Sequence, residues 1–158
     1  MQAFYREGEG LAVCEAAGRI FGYEHELVTL GSGLSIEELL LDCVYDKPAA
    51  KARVLAHSPL FETHAAGLYF HGRDGGGADT SAIEELGTLP GVVEYLPFYR
   101  PGDAISHERG AKPYVARYYV TGSSRESVDV LSHAIMDQAS VLDPDGNELL
   151  LRTTATAC

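Results

Sequence analysis

The chain has 158 residues, of which 46% are hydrophobic, enough apolar material for a buried core and too much for an intrinsically disordered protein. Its formal net charge of −11 argues against nucleic acid and anionic membranes as main partners. No apolar run approaches the ~20 residues that a membrane-spanning helix needs. The three cysteines are far apart and form no CxxC pair, which is typical of a protein in a reducing cytoplasm.

Residues 1–15 predict a β-hairpin. A loosely alternating stretch is followed by the turn residues Glu7-Gly8-Glu9-Gly10 and by an apolar strand that ends in Glu15. An isolated two-stranded ribbon is only marginally stable in water. We therefore expect the chain to start inside a domain, beside a segment that lies upstream.

Glu15 and Arg19 are the charged residues at the end of this second strand. Successive strand side chains point to opposite faces, so Glu15 is expected on the same face as Val13. A carboxylate placed against a buried surface needs a partner, because burial of an unpaired charge is costly. Arg19 could be that partner, as could a metal ion. The simpler alternative is a structural ion pair at a strand end.

Two helices are predicted after this stretch. Tyr23 to Leu30 fits a short helix, and Ser35-Ile36-Glu37-Glu38 is a capping box that begins a second one. Lys47-Pro48 is expected to end the second helix. Its apolar residues recur at the spacing of one half-buried face: Ile36, Leu39, Leu40, Cys43 and Val44.

From residue 64 onward the pattern changes to β-α-β-β-α-β, the ferredoxin-like order. The strands are predicted at residues 64–71, 92–98 and 114–120, with a terminal hairpin within 141–152. Ser81 and Ser123 are the predicted caps of the two helices. Tyr114 to Val120 is expected to be a central strand because it is rich in tyrosine and valine.

The run Cys14-Glu15-Ala16-Ala17-Gly18-Arg19 resembles the end of an ATP-grasp catalytic domain, where a strand ends in Glu-x-Asn-Pro-Arg and a glycine pair and a helix follow. A strand ending in Cys-Glu-x-x-x-Arg is similar to the carboxylate–amine ligases that include the L-amino-acid ligases and carnosine-synthase-like enzymes. Further phrases follow the order of that family, so the resemblance covers nearly the whole chain: Leu89-Pro90-Gly91-Val92, Pro101-Gly102-Asp103, and Gly122 with Ser123 and Glu126.

The resemblance implies an α+β architecture in two parts. Residues 1–60 would be the C-terminal fragment of an ATP-grasp domain, and residues 61–158 a ferredoxin-like C-terminal subdomain. The implied reaction is ATP-dependent, ADP-forming ligation of a small carboxylate and an amine through an acyl phosphate. ATP and Mg²⁺ are the implied cofactors, with Glu15 as a magnesium ligand and Arg19 as the catalytic contact to phosphate.

Departures from the family pattern limit what this chain is expected to do alone. The family's asparagine and proline are replaced by Ala17 and Gly18, and its earlier glutamate falls near Gln2 or before Met1. The family's lysine-bearing nucleotide clamp lies upstream. The chain is therefore expected to be inactive alone, with an upstream ATP-grasp nucleotide subdomain as its partner. The alternative is a non-catalytic ferredoxin-like module that forms a homodimer or binds a small ligand.

Three other stretches carry a functional and a structural interpretation. The glycine-rich run 72–77 could cradle a phosphate, but it lacks the established spacings, and a flexible strand–helix connection is favoured. His64, His71 and Glu62 have metal-ligand chemistry, yet the two histidines fall on opposite strand faces, which favours ordinary surface or core roles. Asp143-Pro144-Asp145-Gly146 is predicted to be a β-turn rather than a calcium loop.

Overall fold

The computed structural model describes residues 2–8, 10–15, 25–58, 60–61, 63–108 and 114–152, with the backbone alone for residues 2–5, 11 and 15. The chain divides into two compact units: Met1–Thr29 with Leu34–His57, and Leu30–Gly33 with Ser58–Cys158. Strands and helices occur in both, so the α+β class is as predicted. None of the helices in the described ranges is long and apolar enough to cross a membrane.

The first unit contains the predicted hairpin. Strands β1 (Gln2–Arg6) and β2 (Gly10–Glu15) pair antiparallel, with Arg6 opposite Gly10 at the closed end and Gln2 opposite Glu15 at the open end. Gly8 and Gly10 have φ angles of 79° and 86°. Only glycine enters this left-handed region without a steric penalty, which explains the turn sequence.

Three helices follow, α1 (His25–Ser32), α2 (Ile36–Tyr45) and α3 (Lys47–Ala56). The Ser35 hydroxyl accepts a hydrogen bond from the Glu38 N–H at 3.2 Å, which confirms the predicted cap of α2. α2 ends at the predicted place, but α3 was not predicted. Asp46 caps α3 by accepting from the Ala49 N–H at 3.0 Å. Pro48 lies in the first turn of α3, where its missing N–H is not needed.

The predicted half-buried face of α2 is mostly exposed. Leu40, Cys43 and Val44 are all exposed, and Val44 is 78% accessible. Arg53 of α3 forms ion pairs with Glu38 at 2.7 Å and Asp42 at 3.1 Å, which fix α3 against α2. The two helices share a set of exposed large apolar side chains: Leu40, Leu41, Val44, Tyr45, Val54 and Leu55.

The second unit is built on a sheet of strands β3 (His64–Phe70), β4 (Val92–Pro97) and β5 (Ala116–Gly122) in the order β3-β5-β4, antiparallel throughout. β5 is central, as predicted. Its core-facing residues pack with helices α4 (Ser81–Leu86) and α5 (Arg125–Gln138). The Tyr118 hydroxyl donates to the Ile83 carbonyl at 2.5 Å, and burial raises the pKa of Tyr118.

The sequence β3-α4-β4-β5-α5 supplies five of the six elements of the predicted ferredoxin-like order. In the described residues, isolated antiparallel bridges stand at the place of the last strand: Leu142 pairs with Glu148, and Leu150 with Gly72. The Leu151 N–H donates to the His71 carbonyl at 2.8 Å. The complete ferredoxin-like arrangement therefore stays a prediction.

Two predicted helix caps are wrong by one residue. Ser124, not Ser123, caps α5. The Ser124 hydroxyl oxygen accepts from the Ser127 N–H, and the Ser127 hydroxyl oxygen accepts from the Ser124 N–H. Ser124 has the extended backbone that an N-cap requires. Thr80, not Ser81, precedes α4, and its hydroxyl donates to the Glu84 carboxylate at 2.7 Å.

Candidate functional site

The first candidate site is the open end of the β1–β2 hairpin, where Glu15 ends β2. The register places the Glu15 backbone opposite Gln2, with an irregularity between Gln2 and Ala3. Val13, two residues earlier on β2, is 57% exposed. The Glu15 side chain and Arg19 lie outside what the structure describes. Their predicted partnership therefore stays a prediction.

Magnesium prefers several hard oxygen ligands in near-octahedral geometry. The hairpin register brings Gln2, which can offer one amide oxygen, to the position opposite Glu15. Ala17, at the place of the family's asparagine, has no side-chain oxygen. One carboxylate and one amide do not complete a magnesium site, so within the described part of the hairpin further ligands would have to come from other residues.

The glycine-rich run 72–77 forms a packed crossing, in which its backbone lies against residues 105, 115 and 149, and it is not the predicted flexible connection. The Gly75 N–H donates to the Ile105 carbonyl at 3.1 Å, and the Ile105 N–H returns to the Gly75 carbonyl at 2.7 Å. A Cβ at Gly72 would lie 2.6 Å from Val115 Cγ2, and one at Gly75 would lie 2.5 Å from Leu149 Cδ2. The glycines allow these close approaches.

Asp74 and His107 form a surface pair beside this crossing. The Asp74 Oδ1 atom lies 2.7 Å from the His107 backbone N and 2.7 Å from its ring Nδ1. The ring hydrogen bond, followed by the backbone one, holds the pKa of Asp74 below its usual value. The two residues are 33 positions apart, and no sequence motif joins them. The sequence alone gave no sign of this pair.

The metal sites considered at His64, His71 and Glu62 and at Asp143 have no matching cluster of ligands among the described residues. Within the described ranges, no three His, Cys, Asp or Glu side chains converge where a metal could bind. His64 begins β3, and Glu62 lies outside the described residues. Asp143 confirms the predicted turn: its carbonyl accepts from the Gly146 N–H at 3.0 Å, and its carboxylate from Asn147.

The comparisons with known proteins give a fold. No family model matches the chain, and no curated protein matches it in sequence. It is similar to the L-amino acid ligase from Bacillus licheniformis, with a TM-score of 0.65 and 17% identity, over 89% of this chain. The match covers 34% of the ligase, so this chain spans about a third of that protein's length. This chain thus has the fold of part of an L-amino acid ligase, in agreement with the family that its motifs resemble.

Proposed function

We propose that this chain is the C-terminal region of a cytoplasmic, ATP-dependent, ADP-forming carboxylate–amine ligase. In the complete enzyme, a small carboxylate is activated as an acyl phosphate and an amine attacks the acyl carbon, releasing phosphate. The fold likeness to part of an L-amino acid ligase carries this proposal. The motif order from Glu15 to Glu126 supports it independently of the coordinates.

Arg19 and Glu15 have separate roles in this proposal. Phosphoryl transfer depends on positioning and on neutralisation of developing charge, which an arginine guanidinium supplies by bidentate contact with phosphate oxygens. Arg19 is therefore the proposed catalytic residue. Glu15 is proposed as one ligand of the Mg²⁺ that accompanies ATP in the complete enzyme. The remaining ligands of that ion would come from other residues of the complete enzyme.

The exposed apolar residues of α2 and α3 support an upstream partner. Tyr45 is 85% exposed and Leu55 is 74% exposed, on neighbouring helices fixed together by Arg53. Large apolar side chains gathered at a surface mark an interaction site more often than a solvated one. An upstream ATP-grasp nucleotide subdomain of the same polypeptide would cover them and would bring the lysine-bearing nucleotide clamp.

The test is an ADP-release assay on the protein expressed with its full natural reading frame, supplied with ATP, Mg²⁺ and pairs of standard amino acids. We expect ADP release that needs both a carboxylate and an amine. Arg19→Ala should reduce it by at least ~100-fold, the loss seen when a charge-stabilising donor is removed. Arg125→Ala, a change at an exposed helix position, is the matched control. The proposal would be contradicted if Arg19→Ala left ADP release unchanged, or if no pair of amino acids gave ADP release.

The second candidate function is a non-catalytic ferredoxin-like module that forms a homodimer. The exposed apolar residues of α2 and α3 lie outside that module but in the same chain, and a second copy of the chain could cover them. Sedimentation of the isolated chain separates the two functions. A stable dimer that Val44→Glu dissociates favours the module, whereas a monomer that associates with a separately expressed upstream subdomain favours the ligase.

A further inference from the structure

We draw no further inference here: the strongest candidate, the groove of about 520 Å³ between β3 and the last part of α5, is lined at one end by the segment that already pairs antiparallel with residues 71–73, and nothing in the part of the chain that the structure describes shows what covers the rest of it.

Discussion

The Arg152 side chain caps the carboxyl end of α5 by donating a hydrogen bond to the Ala139 carbonyl. Its Nη2 donates to the Ala139 carbonyl at 2.6 Å, and its Nη1 donates to the Met136 carbonyl at 2.8 Å. The last carbonyls of a helix have no partner within the helix, and a cation there also complements the helix dipole. Glu148 accepts from the Val141 N–H at 3.0 Å and lies 3.4 Å from the same guanidinium. Arg152 therefore fastens the end of the chain's described part to α5.

Arg152→Ala is expected to lower the free energy of unfolding by about 1 kcal/mol, since charge-assisted hydrogen bonds are lost and water replaces them at a half-exposed site. The melting temperature should fall by about 3 °C for a chain of this size. Arg125→Ala, at the amino end of the same helix, is the control and should change it little. An equal effect of the two substitutions would mean that capping by Arg152 does not stabilise α5.

Gly72→Ala should destabilise the second unit by about 1–3 kcal/mol, the range for overpacking a well-filled site. The added Cβ would meet Val115 Cγ2 at 2.6 Å, and valine is stiff at χ1 and buried here. Gly76→Ala is the matched control in the same run, because nothing lies within 4 Å of its Cβ position. Thermal unfolding measures both. A neutral Gly72→Ala would show that the crossing at this loop is loosely packed.

Asp74 and His107 give a prediction about pH. The folded pKa of Asp74 is lowered, so its contribution to stability is present above the unfolded pKa of about 3.9 and is lost as the pH falls through the folded pKa. His107→Gln removes the ring hydrogen bond but keeps the backbone one, and the pKa of Asp74 should rise part of the way to its ordinary value. Carboxyl ¹³C NMR titration measures this change.

Asp143 is the internal control for that titration. Its pKa is lowered by the Asn147 side chain and backbone, and neither group involves His107. The Asp143 midpoint should therefore be the same in the wild-type and His107→Gln proteins. If the Asp74 midpoint is also the same in the two proteins, the ring hydrogen bond does not persist in solution.

Local signals in the sequence predicted much of the fold and little of the packing. Ser35 caps α2 because a hydroxyl before an apolar run satisfies an orphan N–H, a rule that depends on neighbours alone. The crossing at Gly72 depends on Val115 and Ile105, which are distant in sequence, so the glycine run by itself predicts a flexible connection. Lys47-Pro48 predicts the end of α2, and the start of α3 depends on Asp46, whose side chain caps the new helix.

The candidate site was predictable only in part for a similar reason. Glu15 and Arg19 are suggested by a local motif, because the strand and both residues are close together in the sequence, and their role stays a prediction. The pair Asp74–His107 depends on two loops that are 33 positions apart and that only the tertiary fold brings together. Among the described strands the order is β3-β5-β4, and no local pattern in His64–Phe70 indicates that β5 rather than β4 lies beside β3.

The isolated chain is expected to bind ATP–Mg²⁺ with a dissociation constant above about 1 mM. Under the proposed function the lysine-bearing clamp lies upstream. In the motif that this chain resembles, Ala17 stands at the place of an asparagine, and an earlier glutamate falls near Gln2 or before Met1. Isothermal titration calorimetry measures the affinity. Micromolar binding would show that a nucleotide site is complete within these residues, and it would contradict the need for an upstream subdomain.

Arg19→Ala is expected to separate function from stability. In the isolated chain the melting temperature should hardly change, because we expect Arg19 and Glu15 to be partly solvated, and an exposed ion pair contributes at most ~1 kcal/mol. In the full-length protein ligation should be lost, because the guanidinium would stabilise the negative charge that develops on phosphate in the transition state. Arg19→Lys keeps the charge without the bidentate geometry, and it should recover only part of the activity. A melting drop of about ten degrees or more in the isolated chain, several times the effect of an exposed pair, would make Arg19 structural, and the catalytic role proposed for it would fail.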